Sequence, residues 1–571
     1  MDETTPNSTL GEVDEKKIIE TLFNERDVYQ KATEQQRSDI NDIYQAYVGE
    51  IEDAKDRSKS QEKITKLRTE TNYIVPSIFS GNPELEVESV GEEDKDLSYV
   101  SQEIVNHRMN TIPQAYEKLE SWVKQSVVFG TSLLNVVWRF QKDEVAPGQA
   151  TVSKDEPDFQ VTNILDCFYN PIIPDVENQN SIITRSVLSI KEAKSNPAYN
   201  FTDKFGVLNR EKIESKGNAN ADTYNSSRQV QNDRIDLQKA STDTIEVYER
   251  ITADRMQTVA DGKERLLLRD VANPYGKICI VKLTHEPSAI PNRFDGYGVG
   301  HNTLGLGKLI QKLSNRLLDN VNIANTPSFM FRKSSRVDKK QLVVKPGSGI
   351  ELDTEGPLRD AIAQVEVKDV TNGGLNLLGR FDDEHKRSTG ANDLIQGAAS
   401  NKTLGQDQIA STYSSNRFEL INRRFKQALA DVGRHIIEME IANIQSIDAP
   451  ILKIFPVEAE VDAGRIKYSR ETVYQMLIAA RESGELNFNI RVKGETNVSQ
   501  NKDRMMEQFR EWYQVFGSIL PPENQLKAAK KWLELRGIDG ADDLVPDPEM
   551  MQQEQKQSMP QPAMGQPMPN L

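Results

Sequence analysis

The stretch FDGYGVGHNTLGLGKLI, Phe294 to Ile310, is glycine-rich, follows an apolar run and leads into a helical pattern. Two phosphate-binding templates start this way. A P-loop needs G-x-x-x-x-G-K-[ST], so that backbone amides cradle a phosphate and the Lys reaches it. Gly300 to Gly305 has the gap, but Leu306 stands where the Lys belongs. Gly307-Lys308 supplies the GK pair, but Leu309 replaces Ser/Thr and Asn302 replaces the first Gly. A dinucleotide fingerprint needs G-x-G-x-x-G directly after a strand; Gly298 and Gly300 open it and Thr303 breaks it. Pro287 and Pro291 also separate these glycines from an apolar strand that ends near Thr284. The stretch is therefore expected to be a flexible strand-to-helix connection, with Asn302 or Thr303 as helix cap. Beyond it Leu306, Ile310, Leu313, Leu317 and Val321 mark one face of an amphipathic helix. It runs from about Gly300 to Asn325 and is stopped by Pro327.

Upstream, Val13 to Ile51 has helical periodicity, and IFSGNPELEVESV is a turn followed by an alternating strand. Ser98 to Trp138 is predicted helical, with Gly130 tolerated inside and a strand, LLNVVWRF, at its end. From Thr151 to Thr284 the apolar runs are short and strand-like. ESKGNANADTYNSSRQVQND between them is a polar surface insertion. Downstream, SFMFRKS, QLVVKPGSGIEL and AQVEVKDV predict strands, and a helix starts near Leu375. After the loop IQGAASNKTLGQ comes a long helix from about Asp407 to Gln445. Its stripe is Phe418, Ile421, Phe425, Leu429, Val432, Ile436 and Met439. NFNIRVKGE is a strand, two helical segments follow Ser499, and the Gln-, Pro- and Met-rich end from Ala541 is expected to be disordered. Helices and strands are mixed without βαβ alternation, so the fold class is α+β.

The 571 residues carry 37% hydrophobic and 28% charged side chains and a net charge of -16. That balance argues against a surface that grips nucleic acid throughout, because such grip comes from neutralised phosphates. Two cysteines, Cys167 and Cys279, stand too far apart for a cysteine metal motif. The polar, acidic start predicts no secretory signal. SVVFGTSLLNVVW, the longest apolar stretch, is too short to span a bilayer.

The residue types of catalysis do not assemble. Pro174-Asp175 with Glu192 and Lys194 resembles a nuclease carboxylate set, but Ser189 to Glu192 reads better as a capping box. DDEHK, Asp382 to Lys386, holds metal-ligand types that point in different directions on a helix, so a solvated or ring-lining acidic face is expected. The five histidines are scattered, and no H-E-x-x-H or G-x-S-x-G occurs. The expectation is no catalytic residue, no metal and no cofactor. Two basic segments remain: FMFRKSSRVDKKQ, with Arg332, Lys333, Arg336, Lys339 and Lys340, and the helix QLKAAKKWLELR. Either is a solvated face, and the first is alternatively a surface for DNA or an acidic partner protein.

The order of segments resembles the portal proteins of tailed bacteriophages, particularly the short-tailed ones. The resemblance lies in NYIVPSIFSGNPELEVES, VKQSVVFGTSLLNVVWRF, DFQVTNILDCFYNP, GYGVGHNTLGLGKLIQKLSNRLLDNVNIANTPSFMFRKSS and GAASNKTLGQDQIASTYSSNRFELINRRFKQAL. It implies a ring subunit with a wing (1–299), a first stem helix (300–325), a β-rich clip (326–372) and a second stem helix (373–392). A tunnel loop (393–406), a long helix with further wing strands (407–498), a helical crown (499–540) and a tail (541–571) complete it. It also implies a homo-oligomeric ring of twelve at the capsid vertex of the virion, assembled in the host cytoplasm and touching no membrane. The implied partners are the terminase large subunit, tail adaptor proteins, the major capsid or scaffolding protein, and double-stranded DNA passing through the channel. Asn401, Lys402 and Gln406 would face that DNA, and Arg332, Lys333, Arg336, Lys339 and Lys340 would meet the clip's partners. The alternatives are another head-tail adaptor, disfavoured by length, and a DNA-processing enzyme with a divergent metal site.

Overall fold

The computed structural model describes residues 12–49, 60–79, 81, 83–146, 149–189, 193, 199, 244–262, 265–325, 328–331, 357, 362–365, 370–390, 404–462, 465–484, 486, 488–493, 509–514, 525 and 532. The chain divides into a unit up to Lys493 and a second one after it. In the second, residues 509–514 are helical, with Phe509 5.6 Å from Trp512 and 6.3 Å from Tyr513, ring centre to ring centre.

The first unit mixes helices and antiparallel sheets, the α+β class. It opens with α1 (Glu12–Ala32), α2 (Glu34–Val48) and α3 (Lys66–Ile78), then β1 (Glu84–Ser89), α4 (Lys95–Thr111) and α5 (Ala115–Phe129). The helix expected over Ser98 to Trp138 is thus two helices and a strand. Gly130 ends α5 instead of lying inside it: its φ is +90°, a conformation that glycine adopts without strain. A side chain there would fall on the Gly296 carbonyl.

The long strands β2 (Thr131–Ala146) and β3 (Gln149–Thr162) follow, and β2 also pairs with β9 (Ile280–Thr284) in a three-stranded sheet. Between them in sequence lies a five-stranded sheet of β4 (Cys167–Phe168), β5 (Ile182–Ser189), β6 (Thr244–Ile251), β7 (Arg255–Asp261) and β8 (Arg265–Ala272). Helix α1 covers one face of it: Leu22 and Phe23 pack with Tyr248, Val259 and Leu267. Glu25 takes two hydrogen bonds from Arg250, at 2.8 and 3.0 Å. Arg37 of α2 donates to the carbonyls of Leu165 and Cys167, each at 2.6 Å, and so holds α2 to the start of that sheet.

The opening stretch is more ordered than a connection. Phe294 stacks on Tyr169 at 4.1 Å, and the Tyr169 hydroxyl donates to Asp295. The two-residue strands β10 (Glu286–Pro287) and β11 (Gly296–Tyr297) then form an antiparallel ribbon. At Gly298 a Cβ would stand 2.7 Å from the carbonyl oxygens of Val127 and Val128, so only glycine lets the backbone pass the end of α5 this closely. Helix α6 (Val299–Asn325) starts before the expected cap. The Gly298 N–H donates to His301 Nδ1 at 3.1 Å, while Thr303 is already one turn in and donates to the Val299 carbonyl.

Then come β12 (Ser328–Phe331), β13 (Ile362–Val365), α7 (Thr371–Thr389) and α8 (Leu404–Asn443). The stripe on α8 is buried from Phe418 to Met439, with Ile421 partly so. It reaches the main core, where Phe425 meets Phe79 edge-on at 5.7 Å and Trp122 at 6.2 Å. The pair β14 (Glu460–Asp462) and β15 (Arg465–Lys467), α9 (Arg470–Ser483) and β16 (Phe488–Lys493) complete the unit. The strand expected in NFNIRVKGE is β16, which pairs antiparallel with β1, Glu84 opposite Lys493.

Candidate functional site: a helical hairpin leading to a strand pair

Helices α6 and α7 lie side by side and antiparallel. Three contacts fix their register. At one end Gly307 faces His385, and further along a side chain at Gly374 would fall on Leu317. Near the other end the Val370 N–H donates to Asn320 Oδ1 at 3.4 Å. The strands continue that register, with Ser328 opposite Val365 and Phe331 opposite Ile362. From Val299 to Phe331 and back from Ile362 to Thr389 the chain is one antiparallel hairpin. At 1.5 Å per residue its 27-residue first helix is about 40 Å long.

The apolar stripe read from the sequence does the packing: Ile310 and Leu317 are buried, and Leu306, Leu313 and Val321 are half-buried. Polar side chains were not legible as packing residues, yet they hold the other side of α6. Gln311 donates to the Gly49 carbonyl at 3.2 Å. Asn315 accepts from the Glu62 N–H at 3.0 Å and donates back to the Glu62 carbonyl at 3.3 Å. Asp319 accepts from the Ser60 N–H at 2.6 Å, and Lys308 reaches Asp42 at 3.3 Å. A short amide that both donates and accepts can clamp an extended segment as a neighbouring strand would.

Large apolar side chains remain on the outside. Leu309 and Leu318 are 49% and 41% exposed, as are Ile323 on α6 and Leu375 and Leu377 on α7 to similar degrees. Leu309 and Leu318 are nine residues apart, about half a turn round the helix. The hairpin thus presents apolar groups on opposite sides.

The DDEHK segment follows expectation in part. Asp383 and Glu384 are exposed, but His385 is fully buried, with its Nδ1 2.9 Å from Glu70 Oε1 on α3. Asp382 is ion-paired with Lys66, also on α3. Nothing in the local sequence distinguishes His385 from its exposed neighbours.

At the far end of α8 sits a second buried charge cluster. Arg108 of α4 donates to Glu440 at 2.5 Å and to Glu156 at 3.0 Å. Burial, working against the attraction of Arg108, pushes the Glu440 carboxyl up to about 7. One turn earlier His435 lies 3.2 Å from Glu438, which also pairs with Lys277. Hydrogen bonds from His435 and Lys277 outweigh burial there and keep Glu438 below its ordinary range.

Of the residues singled out in the sequence, Arg332, Lys333, Arg336, Lys339, Lys340, Asn401 and Lys402 lie outside the described residues, as do Glu192 and Lys194. Gln406, expected in a loop, stands in the first turn of α8, which begins at Leu404 rather than Asp407. Asp175 is exposed, with Asn178 at 3.3 Å. Among the described residues no three of His, Cys, Asp and Glu gather as a metal-holding group, and no helix is long and apolar enough to cross a membrane. Cys167 and Cys279 are buried free thiols.

Residues 209–449 match the family described as Phage SU10 portal protein, a stretch that contains β6 to β13 and the whole hairpin. No curated protein matches the chain. That match over the central hairpin supports a phage portal protein, of the short-tailed type.

Proposed function

We propose that copies of this chain close into a ring of twelve at one vertex of the capsid. Double-stranded DNA passes through its channel during packaging and again during ejection. The ring is a structural conduit and a docking platform without an active site. In this scheme α6 and α7 are the stem, and β12 and β13 begin the clip. The clip, with Arg332, Lys333, Arg336, Lys339 and Lys340, receives the terminase large subunit during packaging and tail adaptor proteins afterwards. The segment before α8, with Asn401 and Lys402, approaches DNA; residues 1–299 form the wing with the strands after α8, and the region after Ser499 forms the crown. The wing and crown meet the capsid or scaffolding protein.

The observation that carries this reading is the hairpin with leucines exposed on opposite sides. A closed ring is built from heterologous contacts, so each subunit needs two different complementary faces, one for each neighbour. The net charge of -16 supports the conduit role, because an acidic wall repels phosphate and lets DNA slide in either direction. Negative-stain imaging and native mass spectrometry of the purified chain test it. The expected result is a ring with a central channel; a compact monomer under all assembly conditions would overturn it.

A further inference from the structure

Helix α4 carries a row of side chains on one face. Tyr99, Glu103, His107 and Asn110 follow one another at steps of four, four and three residues, the spacing that stacks side chains along a helix. They line a cleft of about 570 Å³ whose facing wall is Lys453 and Phe455, at the end of the short 3-10 helix Pro450–Ile454. Both walls are fixed. Behind the row Ile104, Val105 and Met109 belong to the main core. Asn106 ties α4 to β1, accepting from the Leu85 N–H and donating to the Leu85 carbonyl, each at 2.8 Å. In the facing wall Ile451 and Leu452 belong to the same core. Arg470 braces that wall: its Nε donates to the Leu452 carbonyl at 3.2 Å and its backbone N–H to the Pro456 carbonyl at 2.8 Å. The polar side chains that line the cleft are uncommitted. Glu103, His107, Asn110 and Lys453 make no side-chain hydrogen bond and no ion pair among the described residues.

The cleft is open to solvent, with Glu103, Asn110 and Lys453 exposed. From Tyr99 to Asn110 its helical wall advances eleven residues, about 16 Å at 1.5 Å per residue. An extended peptide covers that length with about five residues at ~3.3 Å each. The free groups suit such a peptide. Glu103 calls for a cation and Lys453 for an anion. Asn110 both donates and accepts, as a peptide backbone requires of its partner. Burial and the charge of Arg108 hold His107 below its ordinary range, so near neutral pH its ring also offers one donor and one acceptor. Tyr99 and Phe455 add ring surface for one apolar side chain. A nucleic acid would bring phosphates against Glu103 and against the exposed Glu92, Glu93 and Asp96 at the start of the same helix, which disfavours it. We propose that this cleft is a docking groove for an extended segment of a partner protein, about five residues long, that sets a Lys or Arg on Glu103 and an Asp or Glu on Lys453. The groove goes beyond the conduit reading and stands without it.

A peptide array tests it, probed with the labelled full-length chain at about pH 7. The immobilised pentapeptides hold one Lys, one Glu and one Leu in every order among alanines. Each has two controls, one with the Glu replaced by Lys and one with the Lys replaced by Glu. At least one order of the mixed set is expected to capture the chain tenfold better than both of its controls. Glu103 and Lys453 are exposed, so reversing their charges leaves the fold intact, which circular dichroism checks. Glu103→Lys is expected to move the preference to the peptides with two Glu, and Lys453→Glu to those with two Lys. A wild-type chain that binds mixed peptides and controls alike overturns the proposal, and so does a preference that neither reversal changes. The array reads single chains and rings alike, so a negative result leaves the portal reading untouched.

Discussion

Replacing Glu440 with glutamine should make the protein less sensitive to alkaline pH. In the fold this carboxyl is 2% exposed and shares Arg108 with Glu156, so one cation serves two acids. Its ordinary value is 4.5 and its folded value about 7. The folded state therefore binds a proton between those values that the unfolded state has released, and stability falls as pH rises through that window. At about 1.4 kcal/mol per tenfold, the loss from Glu440 approaches ~3 kcal/mol and is complete above the folded value. Glutamine has the shape of the protonated acid and still accepts from Arg108, so the variant should match the wild type near pH 5. At pH 8 it should be the more stable chain by roughly 2–3 kcal/mol. Urea unfolding followed by tryptophan fluorescence reads the difference, since Trp122 packs against Phe425 of the same helix. Every other titrating group is common to both chains and cancels in the comparison. A gap that stays constant from pH 5 to pH 8, or that favours the wild type at pH 8, would refute the reasoning.

Other consequences are as direct. Gly298→Ala pushes a methyl group against the Val127 and Val128 carbonyls and should destabilise by about 3 kcal/mol or more, seen as a drop in thermal midpoint; a neutral result would mean the close approach is not real. Gly374→Val drives a side chain into Leu317 and should separate α6 from α7, measured as faster hydrogen exchange in 371–389 with α5 unchanged. Leu309→Asp and Leu318→Asp should leave the circular dichroism spectrum intact and abolish ring formation in native mass spectra. Lys402→Glu should alter the length or retention of packaged DNA without preventing ring assembly, and unchanged packaging would remove Lys402 from the DNA path.

The helices were legible where an apolar stripe alone decides burial, as in Leu306 to Val321 and Phe418 to Met439. There the period of the helix and the position of the core carry the same information. Gly130 was misread because tolerance of glycine inside a helix and its use as a terminator look alike in sequence. The difference is the Gly296 carbonyl beside it, which local sequence does not reveal. His385 was misread for a related reason. Its neighbours Asp383 and Glu384 are indeed solvated, but burial of the fourth residue of DDEHK depends on Glu70, 315 positions earlier. The glycines from Phe294 onward fail both phosphate templates on the residues at the key positions, Leu306, Leu309, Asn302 and Thr303. What they do instead, passing α5 at backbone distance, needed the position of α5.

The pairing of β1 with β16 carries a temporal consequence. Leu85 and Val87 lie opposite Val492 and Ile490, and Gly433 of α8 comes against Leu85. These partners are separated by roughly four hundred residues of chain. At about 5–20 residues per second, a ribosome needs roughly 20–80 s to pass from one to the other. Through that interval β1 is an unpaired edge attached to helices that lack their closing partner, an invitation to join the same strand of another nascent copy. On the proposed ring assembly, the chain would thus be most exposed to misassembly during synthesis, before any ring begins to close.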